Sequence, residues 1–190
     1  FQAIKTITTG DGGMLVVNNK ENEEKAKRIR WFGIDREKKT KGIWENDIVE
    51  VGYKYQMTDI AAVMGIAGLE IFNKQLIHRR KLFFKYEKTL KNISGIRFVN
   101  SSNEKFFHGA WLSTVIVENR TGLQKKLIEH EIESGQVHYR NDRYKIFSKF
   151  KKNNLPNMDK IENKYLVLPL HSKVKLKDVE KISNIIKSGW

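Results

Sequence analysis

The spacing of apolar residues changes character along this 190-residue chain, and each change predicts an element. The turn formers Thr8, Thr9, Gly10, Asp11, Gly12 and Gly13 precede a β-prone run at residues 14–17, which predicts a loop feeding a strand. Residues 21–32 carry Ala26, Ile29, Trp31 and Phe32 with acids early and bases late, as a helix dipole favours, and Gly33 is the expected stop. Residues 34–50, which include Lys38, Lys39, Lys41 and Gly42, show no period and predict a surface loop. Thr58 and Asp59 offer N-cap chemistry to a helix over 60–72. There Ala61, Ala62, Gly65, Ala67 and Gly68 alternate with large apolar side chains on nearly every face, which predicts a buried, closely packed helix.

From Lys74 the pattern turns amphipathic. Leu76, Ile77, Leu82, Phe83, Tyr86 and Leu90 oppose His78, Arg79, Arg80, Lys85 and Lys88, as in a long helix that links two domains. Beyond it, residues 96–99, 111–117 and 136–139 predict strands, and 122–133 and 177–187 predict helices. A loop from Asn153 to Asn157 leads to a short helix, and 166–170 forms a short extended segment. The second half is therefore expected to be an α+β domain.

Composition narrows the class. With 39% hydrophobic and 31% charged residues, the chain suits a folded globular protein with one sizeable core or two small ones. The absence of cysteine excludes disulfides and thiolate metal sites. The five histidines show no paired ligand spacing, so no metal is expected. Apolar stretches such as 165–170 fall short of the ~20 residues a membrane helix needs, which predicts a soluble protein with no membrane partner. The chain opens on Phe1 in the middle of a motif, which predicts a truncated N-terminus. A net charge of +14 raises a nucleic-acid-binding module as an alternative function. Acids interleaved among the lysines, as at residues 21–30, offer the competing explanation of a solvated basic surface.

The candidate chemistry starts at Phe1-Gln2-Ala3-Ile4-Lys5-Thr6-Ile7-Thr8-Thr9-Gly10-Asp11-Gly12-Gly13. A lysine that holds a cofactor covalently needs a partly desolvated seat, where backbone amides and hydroxyls can approach a phosphate. Lysines beside glycine turns are also commonly just solvated, and the residues alone leave both roles open. The segment resembles the cofactor-lysine motif of the DegT/DnrJ/EryC1/StrS family of sugar aminotransferases, with Lys5 on the lysine that carries pyridoxal 5′-phosphate (PLP) and Asp11 where glutamate is commoner. A second stretch, Gly52-Tyr53-Lys54-Tyr55-Gln56-Met57-Thr58-Asp59-Ile60, is similar to a family loop that reaches into the neighbouring subunit's site. Lys54 stands where the family has a phosphate-contacting asparagine, and Gln56 is the nearby amide, so both are implied to bind the cofactor.

His108-Gly109-Ala110-Trp111 resembles the family's His-Ala-Trp, and Glu133-Ser134-Gly135-Gln136-Val137-His138-Tyr139-Arg140 resembles a segment near its substrate. Leu166-Val167-Leu168-Pro169-Leu170-His171 matches a structural motif of the same family. The resemblance implies substrate contacts at His138, Tyr139, Arg140 and Arg143. By side-chain chemistry, the two arginines suit either a nucleotide diphosphate or a surface salt-bridge cluster.

The resemblance covers essentially the whole chain and implies an α/β fold, the C-terminal part of an aspartate-aminotransferase-like, fold type I PLP enzyme. Residues 1–73 would be the end of the large PLP-binding domain and 74–190 the small α+β domain. The implied activity is transfer of an amino group from an amino acid, glutamate by the family's pattern, to a nucleotide-linked keto-sugar. The implied setting is a cytoplasmic homodimer with shared active sites, serving surface-polysaccharide or amino-sugar biosynthesis. Some family members are dehydratases with histidine at the cofactor position, and Lys5 argues for amino transfer. The resemblance places the rest of the cofactor site in an upstream half, so these residues alone are expected to be inactive. A non-catalytic PLP-binding member is the other alternative.

Overall fold

The computed structural model describes residues 1–42, 48–99, 107–150 and 154–190. Residues 43–47 of the predicted surface loop, the side chain of Lys39 and Asn153 of the predicted connection lie outside them. The chain divides into two units, Phe1–Phe72 and Asn73–Trp190.

In the first unit, α1 spans Lys20–Arg30. The Asn19 side chain accepts from the Asn22 amide at 2.8 Å, which satisfies one of the orphan donors of the first turn. Glu21 and Glu23 open the helix, and Lys27, Arg28 and Arg30 close it, in the order the dipole favours. It stops where Phe32 and Gly33 take positive φ, 55° and 75°. Gly33 is also needed for close approach, because a Cβ there would lie 2.3 Å from the Glu50 carbonyl oxygen. A short helix, α2, occupies Arg36–Thr40, where the sequence predicted only loop. Asp35 supplies its start by accepting from the Glu37 and Lys38 amides.

Residues 14–17 are not a strand, contrary to expectation. Met14, Leu15 and Val16 are exposed, and among the described residues no strand pairs with them, so their β propensity goes unused within this chain.

The helix α3 spans Asp59–Leu90, 32 residues without a break. Thr58 Oγ1 accepts from the Ala61 amide at 3.3 Å at its start. Its first half is not buried as predicted: Ile60, Val63, Ile66 and Leu69 are exposed, and every buried α3 side chain lies between Leu82 and Leu90. By length and composition alone, with an 18-residue window of mean hydropathy 1.4, α3 is long and apolar enough to cross a membrane. Its small residues have a different use within the first unit: Gly65 and Gly68 face Thr9 and Ile7 of the Lys5 turn.

The second unit folds around a three-stranded antiparallel meander, β1 (Ile96–Phe98), β2 (Ser113–Val117) and β3 (Tyr165–Leu168), with β2 central. Ile96 pairs with Val117, and Val115 with Leu166. Along β2, Ser113, Val115 and Val117 are buried while Thr114 and Ile116 are half-buried, the period-2 signature of a sheet with one face on a core. Leu82, Phe83, Tyr86 and Leu90 of α3 join that core. So do Leu123 and Leu127 of α4 (Arg120–Glu129), and Val179, Ile182 and Ile186 of α6 (Leu176–Lys187). Each fully buried aliphatic or aromatic side chain here contributes on the order of 1.5–3 kcal/mol.

Residues 136–139, predicted as a strand, do not form one; the neighbouring Gly135 makes an isolated bridge to Val167. Two 3₁₀ segments, Asn141–Arg143 and Lys145–Phe150, follow, and α5 spans Pro156–Ile161.

Candidate functional site

Two clusters hold the residues that the sequence singled out. In the first unit, residues 1–13 close on themselves. The Lys5 amide donates to the Gln2 carbonyl at 2.9 Å, and the Thr9 amide to the Phe1 carbonyl at 3.0 Å. The Thr8 hydroxyl accepts from the Gly10 amide at 3.0 Å, and Thr9 Oγ1 donates to the Asp11 carbonyl at 2.5 Å. Gly10 and Gly12 sit at φ 85° and 133°, a region that glycine reaches without strain. Thr9 is buried and the Lys5 side chain is exposed, so the described residues alone do not build the partly desolvated seat expected for it. What the chain does supply is a braced turn that presents a primary amine.

The second predicted cofactor segment comes beside this turn through Met57, whose methyl would lie 3.7 Å from a Cβ on Gly12. Gln56 Oε1 is buried with no hydrogen-bond partner among the described residues. A buried amide left unpaired costs about 1–3 kcal/mol, so its orphaned end fits a polar group brought from outside. Rotating the amide would present its NH₂ there instead, as a phosphate requires. Lys54 is directed elsewhere. It bridges to Trp31, with Nζ 5.7 Å from that ring's centroid, and Arg36 stands 4.9 Å from the same ring. Tyr53 and Tyr55 stack at 5.0 Å.

In the second unit, the His108 and His138 motifs meet: the Trp111 and His138 rings are 5.8 Å apart. His108 stacks on Phe83 at 4.0 Å, and its Nδ1 accepts from the Ala110 amide at 3.0 Å. Burial lowers the His108 pKa, Glu87 raises it and Arg80 lowers it, with a net downward shift. Arg79 Nη1 donates to the carbonyls of Ala110, Trp111 and Leu170 at 3.3, 3.2 and 2.9 Å. It thereby ties the His108 motif to the Leu-Pro-Leu-His segment. The sequence showed Arg79 only as one polar residue on an amphipathic face.

His138, Tyr139 and Arg140 line an open cavity of about 650 Å³ together with Phe150, Met158 and Tyr165. The Tyr165 hydroxyl donates to the His138 carbonyl. The Arg140 side chain, 5% exposed, forms a fork with Asp142 in which both N–O distances are 2.7 Å. Its Nη1 also donates to Asp159 at 2.7 Å and Glu162 at 2.8 Å. Arg143 Nη2 donates to the same Glu162 oxygen at 2.8 Å and is about half exposed. The hydrogen bond from Arg140 holds the Asp142 carboxyl below its ordinary range. Burial pushes the Glu162 carboxyl upward, but the bonds from Arg143 and Arg140 outweigh it and the net shift is downward.

Comparison with known proteins returns one family. A profile of the DegT/DnrJ/EryC1/StrS aminotransferase family matches residues 1–187. The chain is 29% identical to a UDP-4-amino-4,6-dideoxy-N-acetyl-beta-L-altrosamine transaminase of Campylobacter jejuni, over 99% of this chain and 50% of that protein. It is 31% identical to a GDP-perosamine synthase of Escherichia coli O157:H7, over 73% of this chain and 36% of that protein. Among solved structures, the sugar aminotransferase CalS13 of Micromonospora echinospora superposes with a TM-score of 0.91 at 26% identity, over 100% of this chain and 50% of that one. The chain spans about half the length of the curated relatives it matches over nearly its whole extent.

Proposed function

The chain belongs to the DegT/DnrJ/EryC1/StrS aminotransferase family, and from that premise we propose that it supplies the cofactor lysine and part of the substrate wall of a PLP-dependent sugar aminotransferase. The observation that carries the proposal is the Lys5 turn, an exposed amine on a loop braced by Thr8 and Thr9 and set against the small residues of α3. Lys5 and Gln56 are the residues that fit PLP, the first through its amine and the second through its unpaired buried amide. Lys54, directed at Trp31, reaches a phosphate only after leaving that ring. We assign residues 1–73 to the large, cofactor-binding domain and 74–190 to the small domain.

When bound, PLP supplies an electron sink for the carbanion that an amino donor leaves on losing its α-proton. Lys5 Nζ would hold the group, and as a primary amine beside the donor carbon it would take up and return the donor's α-proton. The donor is an amino acid, glutamate by the family's pattern. The acceptor is a nucleotide-linked keto-sugar, in keeping with relatives whose names specify UDP- and GDP-linked sugars. His138 and Tyr139 meet this substrate at the open cavity. Of the two arginines, Arg143 has donors left for a diphosphate, whereas Arg140 is enclosed by carboxylates and shapes the wall. The enzyme works as a cytoplasmic homodimer with shared sites, and activity requires the further length that its relatives have.

The test is an amino-transfer assay of the chain joined to that further length, with glutamate and a panel of nucleotide keto-sugars. Product that appears with at least one sugar and disappears in Lys5→Ala supports the proposal. Turnover by the Lys5→Ala variant contradicts it.

A further inference from the structure

We propose that Glu162 is the positioning residue that holds the His138–Tyr139 segment in its substrate-ready shape. The inference rests on the substrate reading of His138 and Tyr139 and adds what fixes them. Residues 136–140 have no sheet ladder to set their conformation, only the single bridge from Gly135 to Val167. Their shape depends on side-chain bonds, and Glu162 takes part in those at both ends of the segment, from Gln136 and from Arg140.

The Glu162 carbonyl accepts from Gln136 Nε2 at 3.1 Å and from Arg120 Nη1 at 3.3 Å, and Arg120 in turn donates to Gln136 Oε1 at 2.9 Å. The Glu162 carboxylate accepts from Arg140 and Arg143, both at 2.8 Å. One residue thus grips the segment on both sides of His138 and Tyr139. Glu162 caps the end of α5, with its amide on the Met158 carbonyl at 2.8 Å, so the grip is anchored to a helix. Three residues on, Tyr165 begins β3 and takes the His138 carbonyl.

Glu162 does not line the cavity, and its side chain is only 17% exposed. It therefore acts through the segment, not on the ligand. Charge-assisted bonds of this kind are about twice as strong as neutral ones, and the two arginines share a single oxygen, so neutralising it loosens both. Asp159 contrasts with it, holding Arg140 through a carboxylate that is 56% exposed.

The variant Glu162→Gln keeps the size and the carbonyl bonds but loses the charge. Amide hydrogen exchange on the chain reads the grip directly at Arg143 and Tyr144, whose amides donate to the Arg140 and Asn141 carbonyls. We expect exchange about tenfold faster there, with Val115 and Val117 of the core unchanged. Asp159→Asn should move the same amides by about twofold or less. In the complete enzyme, Glu162→Gln should raise KM for the sugar about tenfold with kcat nearly unchanged. Faster exchange with unchanged KM would keep the grip and overturn the substrate reading of His138 and Tyr139. Unchanged exchange would overturn the role of Glu162 itself.

Discussion

Thr9 lies directly over Gly65: a Cβ placed on Gly65 would come within 3.2 Å of the Thr9 methyl. The turn that presents Lys5 thus rests on a bare stretch of helix, and Gly68 gives Ile7 similar but looser room at 3.5 Å. Helix-interior glycine costs roughly 1 kcal/mol relative to alanine. Gly68→Ala should therefore stabilise the chain by up to about 1 kcal/mol, since its new methyl makes only ordinary contact. Gly65→Val should instead push the Lys5 turn off the helix, seen as faster proteolysis at Lys5. Urea titrations of both variants, with limited proteolysis, check the pair.

Arg79 binds three carbonyls from two loops. Arg79→Met keeps the stem and removes all three bonds. With hydrogen bonds from charged groups worth about 1.5–3 kcal/mol and partial solvent access here, the expected loss is about 2 kcal/mol. The near-ultraviolet signal of Trp111 should change in the same variant, because Arg79 holds its carbonyl. An unchanged unfolding midpoint would show that Arg79 does not brace the two loops.

Stability should fall in two stages on acidification. His108 has a lowered pKa in the folded chain, so the unfolded chain takes up the proton first and stability declines below roughly pH 6.5. Asp142 and Glu162 are also lowered, so their contribution is full above the ordinary carboxylate range, about pH 4, and disappears as pH falls through their folded values. Denaturant titrations between pH 8 and 3 check this. His108→Gln should abolish the first stage, and Asp142→Asn should diminish the second.

The helix α4 ends in a Schellman motif. Glu131 takes φ 59°, its amide donates to Ile128, and the Ile132 amide donates to Leu127. A non-glycine residue in that conformation costs about 1 kcal/mol. Glu131→Gly should raise stability by roughly 0.5–1 kcal/mol, read from the unfolding midpoint.

That helix end also shows what the sequence could and could not disclose. Ile132 continues the apolar period of α4, so the pattern ran the helix to residue 133. The chain turns at Glu131 and still buries Ile132, a solution that apolar spacing alone does not distinguish. Helix α1 was legible because its capping and charge order are local. The central strand was legible because its alternation faces one core. Residues 14–17 and the first half of α3 misled because apolar pattern records a need for cover, and the described residues do not cover them. Lys5, His138 and Tyr139 stood out by motif order. Glu162 and Arg79 did not, since their importance lies in contacts 19 to 91 residues away in sequence.

Everything proposed for the cofactor turns on Lys5 being the lysine that carries PLP. The most direct measurement is borohydride reduction of the chain, joined to the further length its relatives have, in the presence of PLP, followed by peptide mass mapping. The cofactor's mass should be fixed on the peptide containing Lys5, and Lys5→Ala should remove it while the fold persists. Stoichiometric labelling of another lysine, with Lys5 unmodified, would contradict it.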